Sequence, residues 1–464
     1  MKRQSATATT TIAHAVTAAE GVFAPGHLGE LTQYLPFELV DDVLEQTRTV
    51  QRRLRLLPSR AGVYFVLALG LFPRLGYARV WGKLTCGLAG LDLPVPSEKA
   101  LRDLRRRLGP APLKALFEVV AGPLAWPRTP GTRFGSLRAV AFDGCNSLKI
   151  ADTARNRAWA GKGRSSHGEA AYPALRLMTL AETGTRALLG AVAGTGADRD
   201  EATLARQLMH LLAAGMLVLA DRAFDTSRFL SAVAGTGADL LIRVKSSRTP
   251  LVIAHLDDGS FLSRIGGLTV RIITARIDTA GADGSRAGGC YRFITTLTDH
   301  RRYPAEALVR LYHERWEIET AFLALRHTLL GGRVLRSGDP PGVQQELWAL
   351  LTIYQLLRMA MVTAAETRPG TDPDRASFTV ALNAARDQVI LAAGVLAGTA
   401  TDLAGTIGRH VLASLMPGRR LRTSPRAVKR AMSKYNAKGK VDRTTRKATI
   451  AITIAAPLTA SDEP

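Results

Sequence analysis

Acidic residues are what this sequence is short of. Its 464 residues hold 39 Asp and Glu against 62 Lys and Arg, a formal charge of +23. GC-rich coding explains a bias toward Arg over Lys, but not the shortage of acids beside them. The imbalance points to a polyanionic partner, with nucleic acid first. Cysteine is scarce as well. Cys86, Cys145 and Cys290 stand far apart and offer neither a disulfide framework nor a zinc spacing, as in a reducing cytosol. Long apolar runs are missing. The most apolar stretch, 61–72, is too short to span a bilayer and runs into Pro73. Residues 343–363 and 378–393 read as helices too polar for a membrane, the first interrupted by Gln344, Gln345, Gln355 and Arg358. Lys2 and Arg3 precede Ser, Thr and Ala instead of an apolar core, so no signal peptide is expected.

What is present suffices for real cores: hydrophobic residues make up 46%, and the length favours more than one domain. Residues 1–20 are small and polar, a composition that stays disordered. Residues 21–130 read as a helical domain punctuated by Pro36, Pro58, Pro73 and Pro94. Ser97 is placed to cap a helix over 98–108 that Gly109-Pro110 ends. That short basic helix could serve DNA recognition, but on this signal alone a solvated amphipathic face is the simpler reading. After a linker at 126–132 the periodicity changes. Strands are expected at 137–142, 147–150, 174–180, 187–192, 216–220 and 240–245, with helices at 201–212 and 227–234. This is a mixed α/β domain over 135–335, interrupted at 246–298 by a β-rich, Gly-punctuated insertion. A helical region follows at 336–410, then a basic tail at 411–464. The octapeptide Ala-Val-Ala-Gly-Thr-Gly-Ala-Asp, at 191 and again at 232, reads as a strand end in one place and a helix end in the other.

The densest chemistry lies in residues 312–326. Read as one helix, Tyr312, Arg315, Glu319 and Arg326 fall at roughly 0°, 300°, 340° and 320°, one polar stripe. Leu311, Ile318, Phe322, Leu325 and Leu329 cluster near ~250° as the core face. A carboxylate between two guanidiniums and a phenol suits a site that holds a metal and a phosphate together. Two further acids stand at expected strand ends: Asp143 closes 137–142, and Asp221 closes 216–220. Active residues of open α/β sheets gather at such ends. Three carboxylates brought together repel one another unless cations neutralise them. Oxygen ligands without His or Cys select Mg²⁺ or Mn²⁺, and a pair of such ions can drive phosphodiester displacement. Each residue also has a plain reading. Asp143-Gly144 suits a hairpin turn, Asp221 or Asp225 a helix cap, and Glu319 an i,i+4 partner for Arg315.

Asp143-Gly, the segment Asp221-Arg-Ala-Phe-Asp225, and Tyr312-x2-Arg315-x3-Glu319-x6-Arg326 together resemble the DDE transposases of the insertion-sequence-4 group, whose YREK signature is the last of these motifs. Residues 31–125 resemble that group's N-terminal domain, and 424–435 a C-terminal segment of its members. The resemblance implies a ribonuclease H-like core with a β-rich insertion and an insertion-sequence transposase working by cut-and-paste. Such an enzyme nicks double-stranded DNA at terminal inverted repeats, often passes through a hairpin, and transfers the freed 3′-OH into target DNA. Asp143, Asp221 and Glu319 would be the catalytic metal ligands, holding two Mg²⁺ ions or Mn²⁺ as a substitute. Tyr312, Arg315, Arg326 and Arg243 would contact phosphate. The group's lysine is Arg326 here, a planar fork in place of a point charge. Some members stack a Trp on a flipped base. No Trp lies between Trp159 and Trp316, and Tyr291 could take that role or be an ordinary strand aromatic. A homodimer in the synaptic complex, no membrane, and a prokaryotic cytoplasmic location with the nucleoid are expected. A metal-dependent nuclease without strand transfer, and a catalytically silent DNA-binding repressor, remain the alternatives.

Overall fold

Proline sets the helix starts in the N-terminal part. Pro36 and Pro58, both extended, immediately precede the helices Phe37–Gln46 and Ser59–Leu71, the geometry that proline's fixed φ favours. In the helix Glu98–Leu108, Ser97 accepts a hydrogen bond from the Ala100 N–H, and Gly109 at φ 65° ends the last turn. This computed structural model describes residues 26–418, 422–423 and 446–455, apart from 54–55, 89–92, 94, 166–167, 196–199, 246–247, 282–285 and 394–404. The expected disordered segment 1–20 and most of the basic tail lie outside the described residues.

The α/β part is one mixed sheet. Its strands are β1 (Leu137–Lys149), β2 (Ala174–Glu182), β3 (Leu188–Gly194), β4 (Met216–Ala220) and β5 (Asp239–Arg243), continued by β6 (Phe261–Ile265), β7 (Leu268–Gly281), β8 (Arg286–Thr295) and β9 (Arg446–Ile454). The order is β3-β2-β1-β4-β5-β8-β7-β9, with β6 also pairing β7. Strands β3, β2 and β1 pair antiparallel, whereas β1, β4 and β5 run parallel. The helices expected around 201–212 and 227–234 are Glu201–Arg206, prolonged by a 3-10 turn at Met209–Leu211, and Ser227–Gly235. The repeated octapeptide ends β3 in one copy and the helix Ser227–Gly235 in the other.

Two expectations about this sheet change. The strands foreseen at 137–142 and 147–150 are one strand, β1, broken by a register shift between Cys145 and Leu148; Asp143 therefore lies inside a strand and does not close one. The β-rich stretch 246–298 is joined to the core sheet, because β8 pairs directly with β5. Part of the tail also folds back: β9 pairs antiparallel with residues 275–281 of β7, so the last described residues cap a sheet edge.

Strand alternation sorts the core into two faces. Val140, Phe142, Val218 and Ala220 pack with the helices Glu201–Arg206 and Ser227–Gly235 on one side. Ala139, Ala141, Leu217 and Leu219 face the other side, where they join one hydrophobic cluster with the N-terminal helices and the helix Pro340–Glu366. That helix corrects the reading of 343–363. Its mean hydropathy of 1.4 over 18 residues makes it long and apolar enough to cross a membrane by composition, yet 89% of that window is buried within the fold. Gln345 and Gln355 do not break it, because both are buried and hydrogen-bonded to backbone and side chains of other segments. The helix Glu98–Leu108 gives up one of its cations to this interior. Arg105 is buried against Gln345, Tyr77, Ser337 and Glu346, which leaves Arg102, Arg106 and Arg107 exposed.

Candidate active site

Register brings the two aspartates together. In the parallel pair β1–β4 the last matched residues are Ala141 and Leu219. Two further steps along each strand reach Asp143 and Asp221, and alternation turns both toward the face of Ala141 and Leu219. The helix Glu317–Leu323 packs on that face through Ile318, Ala321 and Phe322, so Glu319 approaches the same point. Gly144 turns to the opposite face, where a Cβ would stand 2.9 Å from the Glu201 carboxylate and that side chain would have to shift.

The expected single helix over 312–326 is segmented. An α-helix Ala305–His313 passes through a 3-10 turn, Glu314–Trp316, into the α-helix Glu317–Leu323 and then a π-helical turn, Ala324–Leu329. Winding tightens and then loosens, so the ideal stripe is not kept along its length. Single π turns of this sort occur often at functional sites. The core face survives, with Leu311, Ile318, Phe322, Leu325 and Leu329 all buried. The side chain of Trp316 lies outside the described residues.

Around Asp143 the structure gathers Arg315, Glu319, Asp221 and Tyr312. Arg315 Nη2 donates to Glu319 Oε1 at 3.4 Å, and its Nη1 lies 4.0 Å from Asp143 Oδ1. Its guanidinium also sits over the Tyr312 ring, 5.9 Å from the centroid. The Tyr312 hydroxyl donates to the Ala220 carbonyl at 3.0 Å, tying this helix to the end of β4, one residue before Asp221. Arg243 covers one face of the Tyr291 ring at 4.5 Å; those two are brought together at the β5–β8 junction, close enough for Arg243 to act on Tyr312. Arg326 goes elsewhere, donating to the Ser147 hydroxyl on β1. Two of the plain readings hold alongside: Asp221 caps the turn Arg222–Phe224 through the Ala223 N–H, and Glu319 pairs with Arg315. The hairpin reading of Asp143-Gly144 does not, since both are extended within β1. Asp225 is buried and paired with Arg248 at 2.8 Å, a structural ion pair.

The electrostatics follow from this crowding. Burial pushes the Asp143 carboxyl up to about 7; Arg315 and the Gly144 N–H oppose the rise, and the Glu319 and Asp221 charges add to it. Burial also pushes the Tyr312 phenol up to about 12, against the pull of Arg315. Burial works against the charge on Arg315, yet Tyr312, Asp143, Glu319 and Asp221 hold it above its usual range. A stability prediction follows. Native Asp143 keeps a proton between its ordinary 3.8 and about 7, where the unfolded chain has released it. The metal-free protein therefore loses stability as pH rises through that window. Asp143→Asn removes the loss. Thermal unfolding in a chelator at about pH 5 and about pH 8 measures it, and an equal drop in both proteins would contradict the assignment.

Among the described residues, no three acidic, His or Cys side chains converge tightly enough to hold one ion as the protein stands; Arg315 supplies the positive charge between Asp143 and Glu319. The donor chemistry nevertheless suits a hard divalent cation, because every acid at the site offers only oxygen and the repulsion felt by Asp143 is what such a cation relieves. Sequence patterns did not single out two neighbours. Ser147 meets Arg326 only through folding. Thr179, matched to Asp143 across β1 and β2, is buried, and its hydroxyl has no hydrogen-bond partner among the described residues. Only the strand register could have found it.

Comparison with known proteins accords with this arrangement. Residues 25–118 match the family described as "Insertion element 4 transposase N-terminal", and residues 137–356 match "Transposase DDE domain". "Transposase InsG for insertion sequence element IS4" of Escherichia coli (strain K12) is 28% identical over 421 residues, covering 88% of this chain and 93% of that protein. "Putative transposase y4zB" of Sinorhizobium fredii (strain NBRC 101917 / NGR234) is 27% identical over 180 residues, 36% of this chain and 48% of that protein. A solved piggyBac transposase synaptic complex with hairpin DNA aligns over 79% of this chain and 77% of its own at 10% identity and TM-score 0.41, a likeness too loose to add to the assignment. The chain belongs to the DDE transposases of the insertion-sequence-4 group, metal-dependent enzymes that cleave DNA and transfer its strands.

Proposed function

We propose that this transposase carries out cut-and-paste transposition at the terminal inverted repeats of its element, with Asp143, Asp221 and Glu319 as the carboxylates of a two-metal site in a ribonuclease H-like core. One observation carries the reading: Asp143 and Asp221 leave adjacent parallel strands toward the same face as Glu319, and their charges act on one another. The sheet supports the fold assignment, with three antiparallel strands continued by two parallel ones. Two Mg²⁺ ions, or Mn²⁺ in their place, would supply the charge that activates the attacking oxygen and stabilises the leaving one.

The protein's own groups do the rest. Arg315, raised and multiply partnered, is the cation nearest the carboxylates and would take a non-bridging phosphate oxygen beside them. Tyr312, with its phenol at about 12, keeps its proton near neutrality. With its hydroxyl already donating to the Ala220 carbonyl, it would serve as a hydrogen-bond donor beside the phosphate. Arg243 and Tyr291 form a cationic and aromatic shelf on which a base beside the cut could stack. Arg326 would hold the strand further along β1. Its fork reaches two oxygens where a lysine reaches one, so Arg326→Lys should keep cleavage within about tenfold, whereas Arg326→Ala should lose about 10²-fold. Unchanged single-turnover cleavage in Arg326→Ala would remove Arg326 from the site, whereas an equal large loss in both variants would show that the planar fork itself is required.

The test of the reading is strand joining. A pre-cleaved element end bearing a 3′-OH, offered with plasmid target and Mg²⁺, should yield a joined product, and the active species should contain two copies of the chain. Cleavage without joining would assign a nuclease; binding to the ends without either reaction would assign a repressor.

A further inference from the structure

The catalytic carboxylates do not account for a large cleft elsewhere among the described residues. It encloses about 580 Å³ between the turn after the helix Ser59–Leu71, the end of β1, and the loop that follows the π-helical turn. Arg74, Lys149, Arg333 and Arg336 line it, with one carboxylate, Glu346. Glu346 is already engaged: it accepts from the Arg336 N–H and the Ser337 hydroxyl and pairs with Arg105. Arg336 in turn is held by the Leu75 carbonyl. Arg74, Lys149 and Arg333 are exposed and form no ion pair among the described residues. Lys149 instead lies over the Tyr172 ring at 5.9 Å. Burial first and the Arg74 charge second hold the neighbouring Arg386 below its usual range, against the pull of Asp387. Three cations without counterions around an open cleft leave an anion-binding surface.

Its position selects the anion. Lys149 ends the strand whose middle carries Asp143, and between them Ser147 receives Arg326. Six residues of strand cover ~20 Å, about six phosphate steps along one strand of duplex at ~3.4 Å each. Lys149, past the register shift that turns it from the face of Asp143, joins Arg74 and Arg333 at the cleft beside the wall contributed by the N-terminal helices. We infer that the cleft bounded by Arg74, Lys149 and Arg333 binds the phosphodiester backbone of the element-end duplex about half a helical turn from the bond that is cut. The inference rests on the proposed transposition reading for the identity of that DNA. It adds a binding track that joins the N-terminal helices to the site.

The test is equilibrium binding of the full-length triple variant Arg74→Ala, Lys149→Ala, Arg333→Ala to an element-end duplex, without divalent metal, over a range of salt. Each lost phosphate contact should flatten the plot of log K against log salt by ~0.9, roughly 3 in all. A parallel arm measures the target concentration that half-saturates joining of pre-cleaved ends. An unchanged slope for end DNA overturns the inference, whether or not that target requirement rises. A flattened slope stands as support even if the carboxylate variants retain cleavage, so this failure and that of the transposition reading are told apart.

Discussion

Replacing Asp143 with Asn or Glu319 with Gln should reduce DNA cleavage by about 10³-fold or more, equivalent to ~4 kcal/mol of barrier, and leave binding to element ends intact. Both changes keep shape and remove charge. At Asp143 the lost charge is one that the fold already opposes, since burial and the two neighbouring acids push its carboxyl up to about 7. The wild-type protein accepts that cost with little in return: Asp143 sits among Arg315, Glu319 and Asp221, and only the Arg315 charge and the Gly144 N–H favour its ionised form. At Glu319 the loss also frees Arg315, now 3.4 Å away, so phosphate contact should hold or tighten. Gel-shift binding alongside cleavage in Mg²⁺ reads both quantities. Cleavage that persists in both variants would sink the catalytic assignment, and binding that fails in both would make these residues structural.

The sequence carried the chemistry of this site further than its shape. Tyr312, Arg315 and Glu319 meet as their spacing predicts, because i,i+3 and i,i+4 neighbours survive a change of helix type over one turn. Arg326, eleven residues from Arg315, does not keep the ideal angle, since a 3-10 turn and a π-helical turn intervene, and no propensity encodes that pair of defects. Asp221 was placed correctly by the apolar run before it. Asp143 was misplaced at a strand end because Asp143-Gly144 reads as a turn pair; in fact Gly144 lies against Glu201, a contact between segments 57 residues apart. The partners set by register, Thr179 and Ser147, left no local trace. The pairing of β8 with β5 was hidden for the same reason: a β-rich stretch shows its strands, but not the edge that receives them.

That pairing makes the second large effect an energetic one. Arg271 on β7 is fully buried. Its Nε donates to Ser260 Oγ at 2.7 Å and its Nη1 to the Tyr303 carbonyl at 2.6 Å, while Nη2 binds Asp258. Asp258 also accepts the Ala305 N–H at 3.0 Å, the first amide of the helix that carries Tyr312. One carboxylate therefore neutralises the buried guanidinium of the β-rich region and caps the element leading into the active site. Asp258→Ala strands a charge in the interior and should cost ~3–5 kcal/mol. Denaturant unfolding should show the loss, and hydrogen exchange should place it in β7 and the helix Ala305–His313. Replacing both partners, Asp258→Leu with Arg271→Met, should recover most of it, because an apolar pair needs no counter-charge. A loss below ~1 kcal/mol in the single variant would mean that the backbone carbonyls alone satisfy Arg271. If the cap matters to function, cleavage in Asp258→Ala falls further than its folded fraction does. If it does not, the two fall together and the β-rich region is only a scaffold.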